Sequence, residues 1–177
     1  LGFEIAVGAA KIVGAGDRFT EAEAEFGKAL ELNPRLFEAY YYFARTRFHQ
    51  GDMDMAARLF RKAADTDPTD FQSRCLRVQI LRGTGHEARA VEEAREAVEV
   101  LEKHLEWHPD DARGLHLGAG SLVVLGQTER AKNWLRRALE LDPTLSEPHA
   151  VIADLLRFDL PYDYDAEAGA PVGTGRW

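Results

Sequence analysis

Cysteine is nearly absent: Cys75 stands alone in 177 residues, so no disulfide can form within the chain. The fold must therefore rest on packing, as is usual in reducing compartments, and a cytoplasmic setting is the expectation. Basic residues are in deficit, with 22 Lys plus Arg against 30 Asp plus Glu and a formal charge of −8. Such a balance argues against a long, sequence-independent grip on a phosphate backbone, and no nucleic-acid partner is expected. No stretch approaches the ~18 consecutive apolar residues of a membrane span. The mildly apolar opening is broken by Glu4 and Lys11 and lacks a basic leading region, so neither anchor nor signal peptide is expected. Gly14, Gly16, Gly83 and Gly85 fall at joins between helices with no strand before them, which leaves no phosphate-cradling loop. No cofactor is expected.

What the chain does have is a period. Pro34, Pro68, Pro109 and Pro143 are spaced by 34, 41 and 34 residues, each behind a polar residue: Asn33, Asp67, His108 and Asp142. A residue before proline is pushed out of the helical region, so each pair marks a helix end. Between these stops lie Gly51, Gly85 and Gly126, spaced by 34 and 41, where a left-handed turn can join two helices. Small and large apolar residues recur in phase at helical spacing: Ala22, Phe26 and Ala29; Ala56, Phe60 and Ala63; Ala90, Ala94 and Ala97; Ala131, Leu135 and Ala138. The small residues allow close approach of two helices while the larger ones fill the gap.

This pattern resembles the tetratricopeptide repeat, a 34-residue helix-turn-helix unit. The unit at 37–70 matches best, with Tyr40, Phe43, Ala44, Gly51, Ala56, Phe60, Ala63 and Pro68 in place and Arg47 where the family usually has tyrosine. The unit at 112–145 supplies Leu115, Leu122, Gly126, Ala131, Leu135, Ala138 and Pro143, but has Gly118 where leucine is usual. The resemblance implies an all-α fold, an α-solenoid or superhelix of four helical hairpins at about 3–36, 37–70, 71–111 and 112–145. A C-terminal capping helix at 146–158 completes an array over 1–158, because a terminal repeat otherwise exposes its apolar face. Residues 159–177 lose the period and read as an irregular acidic and aromatic tail.

The third unit is longer by seven residues, which fall between Ala90 and Pro109. Seven residues are almost two helical turns, so the apolar face returns to its line and the second helix simply runs about 10 Å longer. The added turns carry Leu101, Leu105 and Trp107 past the usual edge, a possible contact between copies. Arg74 and Arg77 take large-apolar slots in the first helix of this unit, where an unpaired guanidinium would cost several kcal/mol. Glu92, Glu93 and Glu96 are the expected partners.

The family resemblance also implies a concave groove lined by the first helix of each pair. Its positions fall on Lys11; Tyr41, Arg45, Phe48 and His49; Gln72, Cys75, Gln79 and Arg82; Arg113 and His116. This stripe is aromatic and net basic on an acidic protein, suited to an acidic or carboxylate-bearing peptide or partner segment. The lysine, asparagine and arginine clamp with which some members hold chaperone tails is not kept. A protein-interaction module without catalysis is the resulting expectation. An oligomerisation element, using the long helix or docking the Tyr162–Asp165 string in the groove, is the alternative. A thiol- or metal-dependent enzyme is a third reading. Cys75 could meet His49 or His116, but nothing in the sequence activates the thiol. His104 and His108 share a helix face without a third ligand nearby, so no metal is expected.

Overall fold

The computed structural model describes residues 15–145, 164–165 and 170–171. Within them the chain forms α1 (Ala15–Leu32), α2 (Phe37–His49), α3 (Met53–Thr66), α4 (Phe71–Gly83), α5 (Glu87–Trp107), α6 (Ala112–Val124) and α7 (Thr128–Leu141). Three hairpins, α2/α3, α4/α5 and α6/α7, follow one another, and each second helix packs on the first helix of the next pair. The two inner helices α4 and α6 also touch directly. This is an α-solenoid of helical hairpins. In the tail, Tyr164–Asp165 pairs antiparallel with Ala170–Pro171, regular structure that the loss of period did not suggest. The leading helix of the first hairpin and the capping helix at 146–158 fall outside the described residues.

Turn chemistry explains the period. Within each hairpin the glycine adopts positive φ, at 82° for Gly51, 78° for Gly85 and 72° for Gly126. The next amide then reaches back five residues, Asp52 to Arg47 at 3.0 Å, His86 to Leu81 at 2.8 Å and Gln127 to Leu122 at 2.9 Å, capping orphan carbonyls. Between hairpins the residue before proline closes a side-chain turn two residues on. Asn33 accepts from the Arg35 amide, Asp67 from Thr69 and Asp142 from Thr144 at 2.9–3.0 Å. Asp52, Asp70 and Asp111 then cap α3, α4 and α6 by accepting first-turn amides.

The core runs as linked clusters along the stack. The first gathers Tyr41, Ala44, Ala56, Leu59, Phe60 and Ala63 of the α2/α3 hairpin, with Ile80 of α4. The second joins Phe71, Cys75 and Val78 of α4 to Ala94, Ala97 and Leu101 of α5 and Leu117 of α6. The third holds Val98, Ala119, Leu122, Ala131 and Leu135.

The long helix departs from expectation. α5 has 21 residues where α3 and α7 have 14, as the insertion predicts. Its extension is not an overhang, however. Leu101 is fully buried and so unavailable to another copy, Leu105 is half-buried against the second cluster, and Trp107, at 82% exposure, stands clear. The cause is two glycines on α6. A Cβ at Gly118 would lie 2.2 Å from a Leu101 methyl and 2.5 Å from the Trp134 ring, and one at Gly114 would lie 3.1 Å from the other Leu101 methyl. Leu101 thus occupies the space that the repeat usually fills from position 118.

Candidate functional site

The inner wall is made by α2, α4 and α6, which side chains fasten edge to edge. The Tyr41 hydroxyl donates to Gln72 Oε1 at 3.1 Å, linking α2 to α4. Ser121 donates to Cys75 Sγ at 3.7 Å, linking α6 to α4, and Gln79 lies over the open backbone of Gly120. The four-residue steps from Tyr41 to Arg45 to His49, and from Cys75 to Gln79, keep each set on one helix face.

Two of the sequence-chosen groove residues belong to the core instead. Tyr41 is buried among Phe37, Tyr42 and Phe60, and only its hydroxyl reaches the wall. Cys75 is fully buried in the second cluster. Burial pushes its thiol from an ordinary 9.0 up to about 12, only partly offset by the Ser121 hydroxyl. A thiol so placed stays protonated at neutral pH, which leaves it without the thiolate that nucleophilic attack needs. Lys11 lies outside the described residues.

The remaining residues offer polar and aromatic groups to the surface. Phe48, His49, Gln79, Arg82 and Arg113 are exposed, while Arg45, Gln72 and His116 are half-buried. Arg45 sits 6.0 Å from the Tyr41 ring centroid, so its guanidinium is propped on an aromatic face. Arg82 and Arg113 are exposed cations of α4 and α6, and on α2 Arg45 is half-buried while Glu38 is exposed.

Arg74 and Arg77 are buried as their slots demand, and carboxylates meet them. Arg74 Nη1 lies 2.7 Å from Glu96 and 3.8 Å from Glu93, and Arg77 bonds directly to Glu93. Arg61 of α3 approaches Glu93 at 3.5 Å and Glu96 at 3.9 Å, which sews the second hairpin to the third. Glu92 is exposed and takes no part among the described residues. His104 and His108 stack with ring centroids 4.7 Å apart, and His104 Nε2 meets Asp111 Oδ2 at 2.8 Å. The carboxylate that caps α6 therefore also anchors the α5 extension, a link the sequence reading missed.

A tetratricopeptide-repeat family model matches residues 8–71, and a second matches 123–145. Tetratricopeptide repeats are thus present in this chain. It is 27% identical over 126 residues to Protein CTR9 homolog of Arabidopsis thaliana, which covers 70% of this chain and 11% of that protein. The chain therefore spans a small part of that relative's length. Among solved structures it resembles MamA 41-end from Desulfovibrio magneticus RS-1, with a TM-score of 0.58, 21% identity and coverage of 80% of this chain and 76% of that one. It also resembles the first TPR of Spaghetti (RPAP3) bound to HSP90 peptide SRMEEVD, with a TM-score of 0.52, 20% identity and coverage of 69% and 91%. At these identities the likeness shows the fold. As a tetratricopeptide-repeat array the chain is a protein-interaction module, and among the described residues no helix is long and apolar enough to cross a membrane.

Proposed function

We propose that the inner wall binds an extended segment of a partner protein that carries acidic side chains or a free carboxylate. The observation that carries this reading is the pair of hydrogen bonds that tie α2 to α4 and α4 to α6, Tyr41–Gln72 and Cys75–Ser121, together with the cations these helices carry: Arg82 and Arg113 exposed and Arg45 half-buried. Guanidinium groups favour planar oxyanions, and Phe48 and His49 add aromatic area at the end of α2. A solved relative that holds an acidic peptide, SRMEEVD, supports the same class of ligand. Hsp90 itself is not assigned. In this reading the array occupies 1–158, residues 159–177 are an appended tail, the setting is cytoplasmic and the chain performs no catalysis of its own.

The test is affinity capture with the wild type beside an Arg45→Glu, Arg82→Glu double variant, partners being identified by mass spectrometry. Loss of one abundant acidic partner from the variant is expected. Capture of the same set by both proteins would remove the wall from consideration.

A second reading rests on Trp107, whose 82% exposure at the end of α5 leaves a large apolar ring in water. Pairing of two copies through it would raise the mass seen by light scattering. A Trp107→Glu variant with unchanged mass would dismiss it.

A further inference from the structure

A cleft of about 410 Å³ opens between α3, the last turns of α4 and the start of α5. It lies on the far side of α4 from Cys75 and Gln79, because Arg77, which lines it, projects roughly half a turn away from both. The chain carries a formal charge of −8, yet this cleft gathers Arg58, Arg61, Lys62, Arg77 and Arg89, with Asp54 as the one carboxylate among its lining residues.

Two of these cations are compensated. Arg61 pairs with Asp65 at 2.9 Å and Arg77 with Glu93. Arg58, Lys62 and Arg89 form no ion pair among the described residues, and Arg58 has only a 3.8 Å contact to Met55 Sδ. Arg77 is more than nine-tenths buried, and its Nε has no hydrogen-bond partner. Burial, and then the neighbouring charges of Arg61 and Arg89, draw its guanidinium below its ordinary value. A purely structural network would match cations with carboxylates. Here three exposed cations are left over around a floor formed by Ile80 and Leu81.

We propose that this cleft is a second binding site, for an acidic polypeptide segment whose carboxylate or phosphoryl groups supply the anions the cluster lacks. A polypeptide fits better than nucleic acid: the cationic area is confined to one cleft bordered by Asp54, Asp65 and Glu96, so a long phosphate backbone would be repelled on leaving it. An apolar side chain between two acidic ones matches a cationic rim over an aliphatic floor. The site stands apart from the inner wall and does not depend on it.

The test uses the full chain at low ionic strength and fluorescence anisotropy with two labelled probes, a hexaglutamate peptide and a neutral peptide bearing one phosphoserine. Saturable binding of either supports the site, provided that Arg58→Glu, Lys62→Glu, Arg89→Glu weakens it at least about tenfold while Arg45→Glu, Arg82→Glu leaves it within about twofold. The tighter probe identifies the preferred anion. These three positions are exposed, so helical content should persist; should the triple variant lose it, Arg89→Ala alone replaces it, with about twofold to threefold weakening expected. No saturable binding of either probe, equal affinity in the cleft variant, loss only in the wall variant, or tighter binding of duplex DNA than of both peptides would each overturn the proposal.

Discussion

The α2/α3 and α4/α5 hairpins have the same turn, the same pitch of small residues and opposite chemistry between their helices. In α2/α3 the first helix lays Tyr41 edge-on against Phe60 at 6.0 Å, and apolar contact does the joining. In α4/α5 the slots that Tyr40 and Phe43 fill in α2 are taken by Arg74 and Arg77, and the joining is done by Glu93 and Glu96. Alanines at 90, 94 and 97 are fully buried in both the near and far turns of α5, so the close approach of helices is kept while the large residues change. Backbone geometry is thus set by glycine turns and small residues, and the large residues decide only how much each joint tolerates.

That contrast can be broken by removing one partner from each joint. Phe60→Ala and Glu93→Ala should each cost about 3–5 kcal/mol in urea unfolding, the first by opening a cavity and the second by stranding the buried Arg77 guanidinium, whose direct partner is Glu93. The two losses should differ in rescue: adding Arg74→Leu and Arg77→Leu to Glu93→Ala should recover most of the stability, because the penalty belongs to the unpaired charge. No recovery would mean that the carboxylate contributes through packing.

Gly118→Ala sharpens the account of the α5 extension. The new methyl meets Leu101 and Trp134 well inside contact distance, and about 1–3 kcal/mol of destabilisation is expected. Combining it with Leu101→Ala should cost less than the two changes summed, since the leucine vacates the space. Additive losses would show that the glycine and the leucine do not share one site.

A smaller effect concerns Cys75. Its folded value of about 12 lies above the ordinary 9.0, so between these values the unfolded chain has lost a proton that the native chain keeps. Stability from this group is full below pH 9 and falls as pH rises towards 12, a slope that Cys75→Ala should remove. At pH 8 the native thiol should react with a disulfide reagent only as fast as the chain opens. Rapid reaction without unfolding would contradict its burial. Least affected of all should be Trp107→Glu, within about 0.5 kcal/mol in monomer stability, because the ring makes little contact at the helix end.

Much of this was legible in the sequence because turns are local. The Gly51, Gly85 and Gly126 turns, the Asn33, Asp67 and Asp142 stops and the length of α5 depend on neighbours within a few residues. Carboxylate partners for Arg74 and Arg77 were also readable, since two arginines in apolar slots demand them from the helix packed against them; of Glu92, Glu93 and Glu96 the last two take that part and Glu92 stays exposed. Less of the wall was readable. Helical spacing places Cys75 and Tyr41 on the inner face, but depth below that face depends on how tightly α4 and α6 approach, which Ser121 and Gly120 set from another repeat. The surplus cations Arg58, Lys62 and Arg89 escaped notice because they lie on different helices and form a cluster only when α3 meets α5.

The sequence by itself determined the period, the hairpins and the all-helical class, because each follows from backbone preferences at glycine, proline and capping positions. Only the tertiary structure decided that Leu101 belongs to the core rather than to an edge, that Cys75 is sealed, and that one flank of an acidic protein is cationic. Those outcomes depend on distances between helices, which side chains far apart in the chain fix jointly.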